Sequence, residues 1–129
     1  MSGFGLACLV GLGGSAGALL RYGVGRWIAA EGKPGFYGTL VVNLVGSLAM
    51  GVLIGIGLEQ RNAAVYALTG IGFLGGLTTY STLNVQKATL YRGGGAVRRT
   101  LYLYLAATYV GGFALTAAGV GAGSLIYHL

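Results

Sequence analysis

The segment GGLTTYSTLNVQ, residues 75–86, places hydroxyl and amide side chains inside a long apolar stretch. Its polar side chains are Thr78, Thr79, Ser81, Thr82 and Asn84. Polar groups at membrane depth are costly unless the protein uses them. Neutral N–H and O–H donors suit an anion that must enter and leave quickly, because conduction requires binding weak enough for release. The segment is therefore a candidate pore lining.

The glycine pair Gly75–Gly76, followed by two threonines, predicts a break in the helix that carries this segment. Backbone carbonyls freed at such a break can coordinate a small cation. Irregular backbone is tolerated at membrane depth where protein shelters it. The alternative is that the hydroxyls bond back to their own helix and have no further role.

Two more polar residues interrupt apolar stretches, Arg21 in GGSAGALLRY and Asn43 in GTLVVNLVGS. Asn43 offers two N–H donors to an ion, or else it joins neighbouring helices as a structural hydrogen bond. Arg21 either extends its side chain to the membrane interface or draws anions into a vestibule. These alternatives stay open on the residues alone.

No carboxylate or histidine lies inside an apolar stretch, and no His/Cys cluster offers a zinc site. Glu31 and Glu59 fall in predicted loops, His128 lies near the C-terminus, and Cys8 is predicted to be a small buried apolar residue. Proton-coupled transport generally needs a titratable group within the membrane, which disfavours a small multidrug-type transporter. Since no nucleophile–base pair can be drawn, we expect that the protein is not an enzyme.

Four apolar stretches are long enough to hold these residues in a membrane. Of the 129 residues 55% are hydrophobic and 8% charged, with a mean hydropathy of +0.77. The stretches lie roughly at 4–29, 37–58, 63–91 and 98–126, each at least as long as the ~20 residues that span a bilayer. We predict one all-α, multi-pass domain over 1–129, with its third helix broken near the centre. The net charge of +6 is read as a topology signal, with no nucleic-acid partner.

Small residues recur four apart in every stretch. The chain has 27 glycines, and four pairs share this spacing: Gly13–Gly17, Gly51–Gly55, Gly72–Gly76 and Gly119–Gly123. In lipid, such pairs let helix backbones approach closely. They predict either a tight bundle or close contact with another subunit.

Three blocks, GGSAGALLRY (13–22), GTLVVNLVGS (38–47) and GFLGGLTTYSTL (72–83), together resemble the signature blocks of the bacterial CrcB/Fluc family of fluoride channels. The resemblance implies a passive, fluoride-selective channel that exports fluoride across the bacterial inner membrane and relieves its toxicity. It also implies an antiparallel (inverted) dimer of dual-topology type, with a structural Na⁺ at its centre.

Carried over by position, the resemblance implies roles for individual residues. The sodium would be held by the backbone carbonyls of Gly75 and Thr78, and Asn43 would donate to the anion. Arg21 would line the vestibule. The remaining implied pore residues are Tyr80, Ser81, Thr82, Leu83, Tyr104 and Thr108.

The chain departs from the family motif, which reads close to GG-x-T-T-F-S-T-F-S-x-E, and three of the departures bear on the pore lining. Tyr80 and Leu83 stand where the motif has phenylalanine, and Gln86 stands in place of its acid. A phenylalanine ring presents a positive edge to an anion, and leucine has no such edge. The departures raise an alternative, a non-conducting or half-degenerate subunit of a heterodimer.

Basic residues are unevenly distributed between the two sets of predicted loops. Arg61 stands alone on one side, and six flank the other: Arg26, Lys33, Lys87, Arg92, Arg98 and Arg99. The positive-inside rule then predicts one fixed orientation with both termini outside. The antiparallel partner would be a sister chain of opposite bias, or else a second copy of this chain.

Overall fold

The computed structural model describes residues 2–128 and is helical almost throughout. Its helices are α1 Gly3–Ala30, α2 Gly35–Gly55, α3 Leu58–Arg61, α4 Ala63–Tyr66, a π-helix Ala67–Leu74, α5 Gly75–Leu77, α6 Ser81–Arg92 and α7 Gly95–Tyr127. Four segments are long and apolar enough to cross a membrane: Gly3–Ala30, Gly35–Gly55, Ala63–Arg92 and Val97–Tyr127. The predicted all-α membrane fold with four spans is confirmed. The single domain over 1–129 stays a prediction, and Met1 and Leu129 lie outside the described residues.

The third span changes backbone geometry twice along its length. It widens into the π-helix Ala67–Leu74, and the helix then ends at Leu77. Thr78 is extended, with φ −81° and ψ 158°, and α6 begins at Ser81. Glycines in this region have low helix propensity, and π-helical turns occur frequently at functional sites. The predicted break is confirmed.

One glycine interface joins α1 to the third span. A Cβ atom added at Gly13 would overlap the carbonyl of Leu68, and one at Gly17 would overlap the carbonyl of Phe73. Gly76 lies equally close to the backbone of α1. Two helix backbones are therefore in contact here, at a distance that only glycine permits.

A second glycine interface joins α2 to α7. A Cβ atom at Gly51 would lie 3.1 Å from the Cα of Gly119, and one at Gly55 would lie 2.9 Å from the Cα of Gly123. All four predicted glycine pairs thus pack within the chain. The spacing predicted either a tight bundle or close contact with another subunit, and in the structure these pairs form a tight bundle.

Large apolar side chains cover the outside of the bundle, as lipid contact requires. Phe113 is 79% exposed and Leu19 is 72% exposed. The prediction that Cys8 is buried is wrong, because its side chain is exposed on α1. Cys8 precedes Gly13 by five residues, which places it about 140° around the helix from the buried glycine face.

The two ends of the bundle carry different charge. The α1–α2 loop meets the α6–α7 turn, because Pro34, Leu90 and Val97 line one pocket. The six basic residues that flank one set of loops lie at this end of the bundle, because they stand near the α1–α2 loop or the α6–α7 turn in the sequence. Arg61 lies at the other end, where its guanidinium stacks 4.3 Å from the ring centre of Tyr127.

Candidate functional site

The side-chain amide of Asn43 holds the backbone of the break. Its Nδ2 donates to the Thr79 carbonyl at 2.9 Å, and the Thr79 N–H donates to its Oδ1 at 2.8 Å. The side-chain amide of Asn43 thus replaces the helical hydrogen-bond partners that the N–H and C=O of Thr79 have lost. One N–H of Nδ2 remains. Donation by Asn43 to an ion stays a prediction, and that remaining N–H is the group that would make it.

Arg21 extends from α1 to the same break. Its Nη1 donates to the Thr78 carbonyl at 3.2 Å in a half-buried setting. The guanidinium therefore points into the protein and not out to the membrane interface. A guanidinium has five N–H donors, so most of its donor capacity is available beyond this one bond.

Some of the hydroxyl groups serve local structure. Thr79 Oγ1 accepts from the Thr82 N–H at 3.3 Å, which caps the first turn of α6, and it lies 3.4 Å from Ser81 Oγ. Thr78 Oγ1 donates to the Leu74 carbonyl at 3.0 Å, and Thr108 Oγ1 donates to the Tyr104 carbonyl at 2.8 Å. These hydroxyl groups therefore bond to the local backbone, which is one of the two alternatives that the sequence left open.

An open groove of about 450 Å³ lies on one side of the break. Its walls come from α2, the third span and α7. The polar or aromatic residues that line it are Asn43, Ser47, Thr78, Thr79, Tyr80, Thr108, Tyr109 and Thr116. The groove is therefore rich in neutral hydrogen-bonding groups and free of carboxylates.

A smaller cavity of about 250 Å³ lies on the other side of the break. Its polar lining consists of Arg21, Thr39, Thr79, Thr82 and Gln86. Thr79 lines both spaces, since it also faces the groove. The two polar spaces thus meet at the residue whose backbone Asn43 holds.

The residues named from the sequence are divided among these spaces. The cavity is lined by Arg21 and Thr82. The groove is lined by Asn43, Gly75, Thr78, Tyr80, Leu83 and Thr108. Ser81 and Tyr104 line neither. Tyr104 is 3% exposed, and its hydroxyl donates to Gln86 Oε1 at 2.9 Å, so it faces the cavity only through Gln86.

Three residues that line the cavity were not named as site residues: Thr39, Thr79 and Gln86. A sequence signal exists for two of them, Gln86 and Thr39. Thr82 and Gln86 are four apart on α6, and residues at this spacing share a helix face. Thr39 and Asn43 have the same spacing on α2.

The oxygen atoms at the break fit one part of a cation site. The helical partner of the Gly75 carbonyl would be the Thr79 N–H, which donates to Asn43 instead. The Gly75 carbonyl is therefore released from the helical hydrogen-bond pattern. The Thr78 carbonyl keeps one lone pair beside Arg21. Uncharged carbonyl oxygens are the kind of ligand that hard cations prefer.

Four helical spans and a third span broken by a polar segment define a small membrane protein built around a polar site at that break. Residues 8–120 match the family model described as CrcB-like protein, Camphor Resistance (CrcB). The chain belongs to this family, which confirms the resemblance found in its sequence.

Several curated relatives carry the name fluoride-specific ion channel FluC. One from Pseudomonas putida is 42% identical over 119 residues, covering 89% of this chain and 94% of the relative. One from Thermus thermophilus is 39% identical over 98 residues, covering 74% and 77%. A FluC 2 from Lactobacillus delbrueckii subsp. bulgaricus is 38% identical over 122 residues, covering 91% and 97%.

Proposed function

We propose that this chain is a subunit of a passive, fluoride-selective channel that lets fluoride leave a bacterial cell and so relieves its toxicity. The observation that carries the proposal is a pair of polar spaces at the break that share Thr79 in their linings. The names of the relatives support fluoride as the ion. The chain acts as a conduit and not as an enzyme.

The groups at the break favour an anion over a cation. A permeating anion would meet the remaining N–H of Asn43, the phenol groups of Tyr80 and Tyr109 and the guanidinium of Arg21. Among the described residues, no carboxylate lines either space. Most of these donors are neutral, and such donors stabilise a small anion without holding it too tightly to leave.

The working unit is an antiparallel dimer. The groove is open on one face of the chain, and its hydroxyl groups would be costly against lipid. A second copy in inverted orientation would cover it. A structural Na⁺ between the copies would be held by the carbonyls of Gly75 and Thr78, and the partner would supply the remaining ligands.

A second candidate is a half-degenerate subunit that needs a sister chain. Leu83, at one phenylalanine position of the motif, is only 2% exposed, so it offers the groove little surface. The charge difference between the two ends of the bundle also favours one orientation in the membrane. An antiparallel partner would then be a chain of opposite bias.

Fluoride efflux from liposomes tests both candidates. The purified chain is reconstituted into potassium fluoride vesicles, and efflux is read with a fluoride electrode after valinomycin is added. Flux from the chain alone, with none for chloride and no dependence on a proton gradient, supports the channel. Flux that appears only with a candidate sister chain supports the second candidate. No flux in either case refutes both.

A further inference from the structure

A narrow stripe of polar and aromatic side chains runs along α6 from the break toward the basic end of the bundle. Its members are Tyr80, which directly precedes α6, and Asn84, Lys87 and Tyr91 on that helix. An α-helix turns by about 100° per residue, so steps of four, three and four residues keep all of them within about 60° of its circumference. This α6 stripe is about 16 Å long, at a rise of about 1.5 Å per residue.

The α6 stripe lies on the outside of the chain. Tyr80 is 64% exposed and Tyr91 is 54% exposed, while Asn84 is also exposed and Lys87 is half-buried. Of the four, Tyr80 alone lines the groove, and none of them lines the cavity. An amide and an ammonium group within a membrane span are costly against lipid tails. We therefore expect this side of α6 to face water or protein instead of lipid.

Two cations are held over tyrosine rings along the stripe. The Lys87 Nζ lies 6.0 Å from the ring centre of Tyr80, at the range of a cation–π attraction. The guanidinium of Arg98 lies 4.5 Å from the ring centre of Tyr91, and its Nε donates to the Tyr91 carbonyl at 3.1 Å. Helical side chains lean toward the N-terminus, so Lys87 carries its charge toward the break. Positive charge is thus present at both ends of the stripe.

The charge and the donors of the stripe match an anion. The Lys87 ammonium has three N–H donors, and the Asn84 amide has two. The two acidic residues of the chain, Glu31 and Glu59, belong to the end of α1 and to α3. Fixed charge of one sign along a path raises the local concentration of ions of the opposite sign. Because Tyr80 also lines the groove, an anion gathered on the stripe arrives at the break.

We propose that the α6 stripe is a water-lined approach route between the basic end and the groove, in which Lys87 is the residue that attracts anions. The inference rests on the proposed function and adds to it a route separate from the cavity that contains Arg21. Lys87 lies one residue beyond the family motif, so the resemblance assigns it no role. Its charge is close to water, where it raises the arrival rate of an anion without holding it too tightly to leave.

Water on the stripe is tested by thiol labelling in a Cys8→Ser background. An Asn84→Cys variant in proteoliposomes should react with a charged methanethiosulfonate reagent that is present on both sides of the membrane. Val85→Cys is the matched control, because Val85 is 66% exposed but lies about 100° around the helix from Asn84. A thiol in apolar surroundings stays protonated and unreactive, so we expect Asn84→Cys to react about tenfold faster or more.

Fluoride flux tests the charge of Lys87. The conducting form, the chain alone or with its sister chain, is measured in about 10 mM potassium fluoride, where the Debye length is about 30 Å. We expect Lys87→Gln to lower flux about fivefold, the effect of one unit charge about 4 Å away across water. The loss should disappear in about 1 M potassium gluconate, which screens the charge beyond about 3 Å. Lys87→Arg keeps the charge and should conduct at the wild-type level.

Lys33→Gln is the matched control for flux, since it removes the same charge from the α1–α2 loop at the same end of the bundle. We expect its flux to stay at the wild-type level at both salt concentrations. An equal loss from Lys33→Gln would mean that the net charge of the basic end, and not the position of Lys87, attracts the anion, and would overturn the inference.

The other outcomes distinguish the inference from the function on which it rests. If the wild-type protein carries no fluoride, the proposed function and the inference both fail. If it conducts, slow labelling of Asn84→Cys at the rate of Val85→Cys overturns the inference alone, because lipid or a partner chain then covers the stripe. A loss in Lys87→Gln that persists at high salt also overturns it. Fast labelling together with a loss that salt removes supports it.

Discussion

Asn43 and Thr79 form the contact on which the geometry of the break depends. Asn43 gives one donor to the Thr79 carbonyl and one acceptor to the Thr79 N–H. Only an amide side chain has both in this arrangement. The residue therefore has a structural role that is separate from any role toward an ion.

We expect Asn43→Asp to lose fluoride flux and to lower stability by about 1–3 kcal/mol. The carboxylate keeps an acceptor for the Thr79 N–H, but its second oxygen would face the Thr79 carbonyl, where a donor now lies. Asn62→Asp is the matched control. Asn62 caps α4 through its Oδ1, and aspartate caps a helix equally well. Thermal unfolding and liposome flux of both variants check this, and wild-type flux from Asn43→Asp would contradict it.

The two phenylalanine positions of the motif should respond differently to restoration. Leu83 is 2% exposed, so Leu83→Phe adds volume to a filled site and should cost about 1–3 kcal/mol of stability. Tyr80 is 64% exposed, so Tyr80→Phe should leave the melting temperature unchanged. Thermal unfolding in detergent compares the two. A Leu83→Phe variant that melts at the wild-type temperature would show that the groove has room for a ring there.

At the scale of elements, the two glycine interfaces decide how closely the helices pack. They pair α1 with the third span and α2 with α7, the two most extensive packing interfaces in the chain. The break in the third span accepts a hydrogen bond from Arg21 of α1 and another from Asn43 of α2, so each helix pair contributes one contact to it. The position of the polar site thus depends on both interfaces.

Gly13→Ala should destabilise the protein by about 1–3 kcal/mol, because the new methyl group would overlap the Leu68 carbonyl. Gly11→Ala, two residues earlier on the same helix, meets no atom within 4 Å and should be neutral or slightly stabilising. The melting temperatures of the two variants decide the matter. Equal effects would mean that helix propensity, and not the close approach, governs this interface.

The four helices and the broken third span followed from apolar length and from the Gly75–Gly76 pair, which act locally. What the sequence left open was which partner each group contacts. The sequence allows Asn43 to donate to an ion or to bond a neighbouring helix, and its bonds go to the backbone of Thr79, 36 residues away along the chain. The sequence predicts a buried Cys8, although the position of the glycine face places Cys8 on a different side of α1. Such outcomes depend on how the helices are oriented against each other, which residue type does not specify.

At the scale of the whole molecule, the basic end predicts one orientation in the membrane. In a Cys8→Ser background, a cysteine placed at Gln60 should react with an impermeant maleimide added outside the cell. A cysteine placed at Lys33 should react only after the membrane is opened, since it belongs to the basic end. Equal labelling of both sites from outside would show dual orientation and favour a dimer of identical chains.

If the proposed sodium site exists, sodium should matter to the assembled dimer and not to the isolated chain. The Gly75 and Thr78 carbonyls of one chain would supply only part of that site, so the ion would stabilise the form in which two chains complete it. We expect replacement of Na⁺ by a bulky organic cation to lower the melting temperature of the dimer. An unchanged melting temperature and unchanged association would remove sodium from the assembly.

The pairing of the spans also has a consequence for the order in which the protein is made. The glycine face of α1 packs on the third span, and that of α2 packs on the fourth. During synthesis from the N-terminus, each of the first two helices enters the bilayer before the helix that will cover its small residues exists. A ribosome stalled after the second span would thus leave two uncovered glycine faces. Insertion ends with α7, which closes the second of them.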